Sequence, residues 1–572
     1  MKRILLLIFS PLLILFQSYS TFGQPLITPD IIKNADTYLS RMVPFGFNGT
    51  VLIAEKDKIV LNKGYGMAER EQGIPNGPDI IYSLGSIVKP FTATLIMKLV
   101  QDRQIELTDP LAKFFPDVPS DKKSIEIHHL LSHSSGFPEA IGSDKEYITK
   151  ENYIHEVWET PLAFIPGAYY LYSNVGFTML AMVVEKVTGK NYEEYLFETI
   201  LKPAGMKNTG YTLPDWDITK LAHNFFAGHD NGTFMDREFY PTWNLIGNGG
   251  MLSTTEDMYR FYRLIKSNKL LTAETKNKMF TPVFMEDAYG WVNIDNGEII
   301  QHNGGGSDGN GAVFRWFPKD DLFLMIFTNS TFQDKPGFLS VEQPLQDIIF
   351  GKEILLPPEV IEISEAVSLE KFEGSYQLSG GAEFTLQNEL RTFKFHPENQ
   401  QAVSLLFNMH EGSSDWIAWN NKISSIMKAV VEEEKYDSLA KITEDPDRLK
   451  ELIENEIKME GYEKPRIRVL FSIQINPRIF MTMTAISEEI FDEESMLMQL
   501  YFENEQFTGM GINFGRARLP EMTFVPVCLD LFTGYNFSFN RECTLRIRYD
   551  QSGLVSSMIF NNGPEQKTLK KE

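Results

Sequence analysis

Ser86 and Lys89 stand three residues apart in YSLGSIVKPF. On a helix, positions i and i+3 share a face, so the lysine can reach the serine oxygen. A serine hydroxyl is a weak nucleophile until a neighbour takes its proton, and an amine can take it only when neutral. The spacing alone is common: Ser120/Lys123, Ser368/Lys371, Ser425/Lys428 and Ser438/Lys441 share it. The first pair is singled out by two later motifs in the chain, Tyr172-Ser173-Asn174 and then His302-Asn303-Gly304. Tyr-x-Asn occurs once among the 22 tyrosines, whereas His-x-Gly recurs at His410-Glu411-Gly412 and is less specific.

Those residues need elements to position them. SIVKPFTATLIMKLVQD has a helical period, with Ile87, Phe91, Leu95 and Leu99 on one side and Pro90 in the first turn, where its missing N–H costs little. Ser86 then lies near a helix N-terminus, where the peptide dipoles favour negative charge. Residues 174–200 form a second long helical stretch, interrupted at Gly189. NGTVLIAEKDKIVLNK predicts two strands around the turn Glu55–Lys58, and AVFRWF with DLFLMIFTN predicts another pair joined at Pro318–Asp321. The Gly304–Gly306 run is not a phosphate cradle, because no G-K-[S/T] comes after it. His133, in the SHSSG turn, reads as a structural residue that satisfies loop backbone.

The 572 residues predict more than one domain, and 43% hydrophobic with 23% charged residues is a packed globular composition. Residues 1–23 have the layout of a signal peptide: Lys2 and Arg3, an apolar run from Ile4 to Phe16, then Thr21-Phe22-Gly23. Cleavage there predicts a periplasmic or secreted protein with no membrane span in the mature chain. Lys2 and Arg3 are the only charges removed, so the net charge goes from −23 to −25, which disfavours nucleic acid as a partner. The two cysteines, Cys528 and Cys543, could pair across one hairpin or stay as thiols. No Cys/His cluster has zinc spacing, and the acidic run Glu432–Glu434 reads as a solvated helix face, so neither metal nor other cofactor is expected.

After a Pro357-Pro358 spacer in a linker at 356–366, the chain from 367 to 572 reads as β-rich. Its strands are LEKFEGSYQL, AEFTLQNELRTFKFH, RVLFSIQIN, RIFMTMTAI, MLMQLYF and TLRIRYD, with a helical segment at about 420–462. Asp445 as cap, Pro446 in the first turn and Gly461 as stop mark its second half.

Longer signatures surround the three short motifs: LLSHSSGFPE at 130–139, IPGAYYLYSNVGFTMLAMVVEKVTGKNYEEYL at 165–196, LKPAGMKNTGY at 201–211 and GNGGMLSTTEDMYRF at 247–261. With them, residues from about 35 to 350 resemble the β-lactamase-related serine hydrolases, in particular the class C and D-peptidase branch. The resemblance implies an α/β (α+β) domain at 24–355, an antiparallel sheet flanked by helices, followed by a lipocalin-like C-terminal domain. It implies Ser86 as nucleophile and Lys89 and Tyr172 as proton carriers. Asn174 would hold substrate and Lys89, and the N–H groups of Ser86 and Gly305 would form the oxyanion hole. His302, Asn303 and Gly304 occupy the family's Lys-Thr-Gly position. A histidine there is mostly neutral at pH 7, which weakens recognition of a substrate carboxylate. The implied activity is acyl-enzyme hydrolysis of small esters, D-amino-acid peptides or β-lactam-like amides, esterase or D-peptidase ahead of β-lactamase. The alternative is a slow penicillin-binding-like protein that holds cell-wall fragments. Substrate identity and oligomeric state stay open.

Overall fold

The computed structural model describes residues 27–354, less 227–228, 238–239, 307–308 and 332–336. Beyond these it describes 356–357, 372–377, 381–389, 392–399, 401–402, 414–443, parts of 446–453, and the strands between 466 and 571 with their adjoining turns. The signal-peptide reading, most of the linker, Asp445, Gly461 and the motif at 410–412 lie outside the described residues.

The central sheet has six strands: β1 (Gly49–Glu55), β2 (Lys58–Tyr65), β3 (Val292–Ile294), β4 (Ile299–Gly305), β5 (Gly311–Phe317) and β6 (Leu322–Thr328). They run antiparallel in the order β2-β1-β6-β5-β4-β3. Both predicted hairpins form, and Lys56 and Asp57 take positive φ in the first turn. Residues along a strand point alternately to the two faces. Val51, Ile53, Leu322, Leu324 and Ile326 therefore pack on one side, against α1 (Pro29–Met42) and α5 (Gly337–Ile349). Leu52, Ala54, Phe323, Met325 and Phe327 pack on the other, against α2 (Val88–Gln101), α3 (Asn174–Thr188) and α4 (Thr255–Lys266). β1 and β6 are buried throughout, and each such Leu, Ile or Phe contributes roughly 1.5–3 kcal/mol.

The α2 helix differs from the one-sided pattern read in its sequence. Ile87, Phe91, Leu95 and Leu99 are buried, but so are Val88, Thr92, Ile96 and Met97 on its other sides. An apolar helix enclosed all round is a core element, and it carries Lys89 into the core with it. The second helical stretch breaks where expected: Gly189 closes α3 in the left-handed conformation.

In the C-terminal region eight strands close an antiparallel barrel: β7 (Gly374–Gln377), β8 (Glu383–Glu389), β9 (Thr392–Pro397), β14 (Met522–Cys528), β15 (Leu531–Asn536), β16 (Arg541–Tyr549), β17 (Val555–Asn562) and β18 (Glu565–Lys571). Pairing of Tyr376 with Lys571 shuts it, and Phe384, Phe395, Phe524, Phe532 and Phe560 fill it. Between β9 and β14 lie helix α6 (Ser414–Glu433), which starts earlier than the predicted 420, and strands β10 (Arg466–Ile475), β11 (Arg478–Ile486), β12 (Ser495–Glu503) and β13 (Gln506–Gly515). These four form a sheet of their own and take no place in the barrel. Of the two alternatives left for the cysteines, the register favours free thiols. Cys528 pairs with Leu531 and Cys543 with Gly534, so β15 runs between them. Two strand spacings of about 4.8 Å exceed the roughly 7 Å that a disulfide spans. Among the described residues, no helix is long and apolar enough to cross a membrane.

Candidate active site

Ser86 sits in one turn of 3-10 helix, Gly85–Ile87, that runs directly into α2. Gly85 has φ +50°, and a Cβ on it would fall 2.5 Å from the Gly305 nitrogen. A Cβ on Gly304 would fall 2.1 Å from the Leu84 oxygen and 2.9 Å from the Ser86 nitrogen. Glycine at both positions thus lets the end of β4 lie against the turn that holds the serine. This contact brings the backbones of Ser86 and Gly305, the two expected oxyanion donors, to one place.

Lys89 is fully buried, while Ser86 keeps part of its surface open. The lysine Nζ donates to Ser86 Oγ at 3.0 Å, to Asn174 Oδ1 at 2.6 Å and to the Asn248 carbonyl at 3.1 Å. All three acceptors are neutral. Burial disfavours the ammonium and lowers the Lys89 pKa to about 7, against the opposing pull of the more distant Glu139 and Asp144.

Tyr172-Ser173-Asn174 divides its work. Ser173 caps α3: its Oγ accepts the Gly176 N–H at 3.1 Å and donates to the Pro138 carbonyl at 2.7 Å. That seats Asn174 in the first helical position, facing Lys89. The Lys89 Nζ lies 4.7 Å from the Tyr172 ring centroid. Burial nevertheless pushes the phenol above its usual value, a hydrogen bond with Ser86 works the other way, and Glu139 and Asp287 add to the rise. Desolvation, the largest of these influences, sets the direction, and the phenol keeps its proton.

His302 is buried on β4, opposite Phe314. Its Nδ1 lies 2.7 Å from the Asn303 carbonyl, which can only accept, so Nδ1 carries the proton and Nε2 is left as an acceptor. Burial first, and Lys89 second, lower the ring to about 3 despite that bond. The ring is neutral at physiological pH. Asn303 Oδ1 is buried without a hydrogen-bond partner among the described residues.

Asn248 and Asp287 carried no sequence signal of their own, and His133, read as satisfying loop backbone, does so and bears on Tyr172 as well. The Asn248 carbonyl holds Lys89, and its side chain is tied to Thr178 and the Asn244 carbonyl at 2.7 and 2.8 Å. His133 accepts the Ser173 N–H at 3.0 Å and also stacks on Tyr172, with centroids 4.5 Å apart. Burial holds it neutral. Asp287, hydrogen-bonded to Tyr170, is raised by burial to about 6. The arrangement can pass a proton from Ser86 to Lys89 and offers two backbone N–H groups to a developing oxyanion.

Residues 47–339 match the family model Beta-lactamase. Penicillin-binding protein 4* of Bacillus subtilis (strain 168) is 26% identical over 377 residues, which cover 60% of this chain and 82% of that protein. Protein flp of Staphylococcus aureus (strain MW2) is 25% identical over 323 residues, 53% of this chain and 64% of the relative. Among solved structures, the octameric penicillin-binding protein homologue from Pyrococcus abyssi superposes with TM-score 0.50 at 20% identity, covering 84% of this chain and 99% of its own. D-amino acid amidase from Ochrobactrum anthropi SV3 superposes with TM-score 0.50 at 22% identity, covering 56% and 99%. These two likenesses speak for the fold. With its family match spanning more than half its length, the chain belongs to the β-lactamase family of serine hydrolases.

Proposed function

We propose that this protein is an exported hydrolase that forms an acyl-enzyme on Ser86 and acts on small esters or D-amino-acid peptides ahead of β-lactams. The observation that carries the reading is Lys89: a fully buried amine, 3.0 Å from Ser86 Oγ, held only by neutral oxygens, with its pKa lowered to about 7. At neutral pH a large fraction is free base. Lys89 then accepts the Ser86 proton as Oγ bonds to the substrate carbonyl carbon. The oxyanion settles against the N–H groups of Ser86 and Gly305, each such donor being worth roughly 3 kcal/mol. Tyr172, whose phenol keeps its proton, donates to the departing oxygen or nitrogen and is reprotonated from Lys89. Water, losing its proton along the same route, releases the acid.

The substrate preference follows from charge. His302 stands where a permanent cation would hold a substrate carboxylate, and it is neutral. The carboxylates nearest the pair, Glu139, Asp144 and Asp287, favour neutral or cationic ligands over anionic ones. Export rests on the N-terminal pattern of a basic start, an apolar run and a small-residue exit. The test is p-nitrophenyl ester hydrolysis by the protein and by Ser86→Ala. Turnover lost in the variant supports the reading, and equal turnover in both removes Ser86 as nucleophile. A single stoichiometric burst without turnover would favour the slow, penicillin-binding-like alternative, a behaviour in keeping with the names of the relatives.

A further inference from the structure

Away from Ser86, three chain segments meet beneath the loop after β4. The short strand Met67–Glu69, the residue His223 and the hairpin of Phe225–Phe226 with His229–Asp230 are stitched together by backbone. The His223 N–H donates to the Ala68 carbonyl at 2.9 Å, and Asn329 Nδ2 donates to the carbonyls of Met67, Ala68 and His223. One donor atom each of Glu69, His223 and Asp230 lies within 4.8 Å of the other two. Each side chain is oriented. Glu69 is buried, and its Oε1 and Oε2 accept the N–H groups of Glu71 and Gln72 at 2.6 and 2.5 Å, leaving a further lone pair on each. His223 Nδ1 lies 2.9 Å from Asp230 Oδ2, and Asp230 Oδ1 accepts the Gly232 N–H at 2.8 Å.

The charge at this place does not balance. Two carboxylates, one of them buried, sit beside one imidazole, and among the described residues no lysine or arginine nitrogen lies within ion-pair distance of either. The adjacent Arg70 guanidinium lies over the Phe225 ring, 3.9 Å from its centroid. A buried carboxylate next to a second one calls for positive charge. We infer that Glu69, His223 and Asp230 bind a divalent metal ion that clamps the 225–230 hairpin to the strand 67–69. One imidazole nitrogen with two carboxylate oxygens suits a first-row ion such as zinc, water completing the shell, better than calcium or magnesium. The carboxylates held by backbone N–H groups are the outer-shell support that such ligands need. The ligands are too far apart in sequence to form a spacing motif, which is why a search for Cys/His clusters passes over them. The clamp bears on the strand next to the hydrolase site through Gly309, just before β5, where a Cβ would fall 2.2 Å from the Phe225 oxygen.

The test is titration of chelator-stripped protein with zinc chloride against a chromophoric competitor. One equivalent should bind at micromolar concentration or tighter and raise the melting temperature, since a ligand that binds only the folded state stabilises it. His223→Ala should lose that equivalent, and Asp230→Asn, a change at an exposed site, should weaken it by about tenfold or more with unchanged far-ultraviolet dichroism. Absence of a bound equivalent in the unsubstituted protein overturns the inference. So does an equivalent that survives unchanged in a folded Asp230→Asn and His223→Ala double variant.

Discussion

Two buried cations lie on opposite faces of the central sheet, and their surroundings differ. Arg315 on β5 faces α5, where it is ion-paired with Glu342 and donates to Gln346 as well as to Gln301 on β4. Lys89 on α2 faces the hydroxyl of Ser86, the amide of Asn174 and the carbonyl of Asn248. Burial lowers both. The guanidinium comes down only to about 10 and stays charged beside its carboxylate, whereas the lysine comes down to about 7. The two sites teach how one sheet separates structure from chemistry. A buried cation given a carboxylate holds helix to strand, while one given only neutral oxygens can lose its proton and act as a base.

The comparison can be broken most severely at the nucleophile. Ser86→Ala should lower ester turnover on the order of 10³-fold or more while leaving the melting temperature nearly unchanged, read from initial rates and a thermal scan. Exchange of the two cations should then dissociate activity from stability. Lys89→Met should remove activity by a comparable factor at little cost in stability, because no buried charge is left behind. Arg315→Met strands Glu342 and should cost about 3–5 kcal/mol in denaturant unfolding, with turnover per folded molecule retained.

Linkage sharpens the same contrast. Between the folded Lys89 value near 7 and its ordinary 10.5, the unfolded chain holds a proton that the folded chain does not. Stability should therefore rise with pH across that window, by up to about 1.4 kcal/mol per unit, and the slope should flatten in Lys89→Met. The smallest effect belongs to the cap. Ser173→Ala should cost about 1 kcal/mol, together with a rise in KM as Asn174 loses its fixed place in the first turn of α3.

Much of this site is legible in the sequence, because side-chain identity at fixed spacing carries it: Ser86 with Lys89, then Tyr172 with Asn174, then His302 to Gly305. The rest is hidden there for physical reasons. The Asn248 contact to Lys89 is made by a carbonyl, which every residue possesses. The stacking of His133 on Tyr172 and the placing of Asp287 beside Tyr170 depend on tertiary packing between distant loops. In the C-terminal region, the sequence reads β10, β11 and β12 as strands but misses β13, whose glycines dilute the strand signal, and it cannot say that the four pair with one another rather than with the barrel. The direction of the Tyr172 shift also escapes, since sequence does not give the degree of burial that sets it.

The central claim is that Lys89 takes the Ser86 proton near neutral pH. It is tested most directly by the pH dependence of Ser86 acylation, followed as the burst of a p-nitrophenyl ester. The account predicts a rising limb with a midpoint near 7, kept when Asp287, itself raised to about 6, is changed to Asn, and lost in Lys89→Met. A limb that disappears in Asp287→Asn, or wild-type acylation in Lys89→Met, would contradict it.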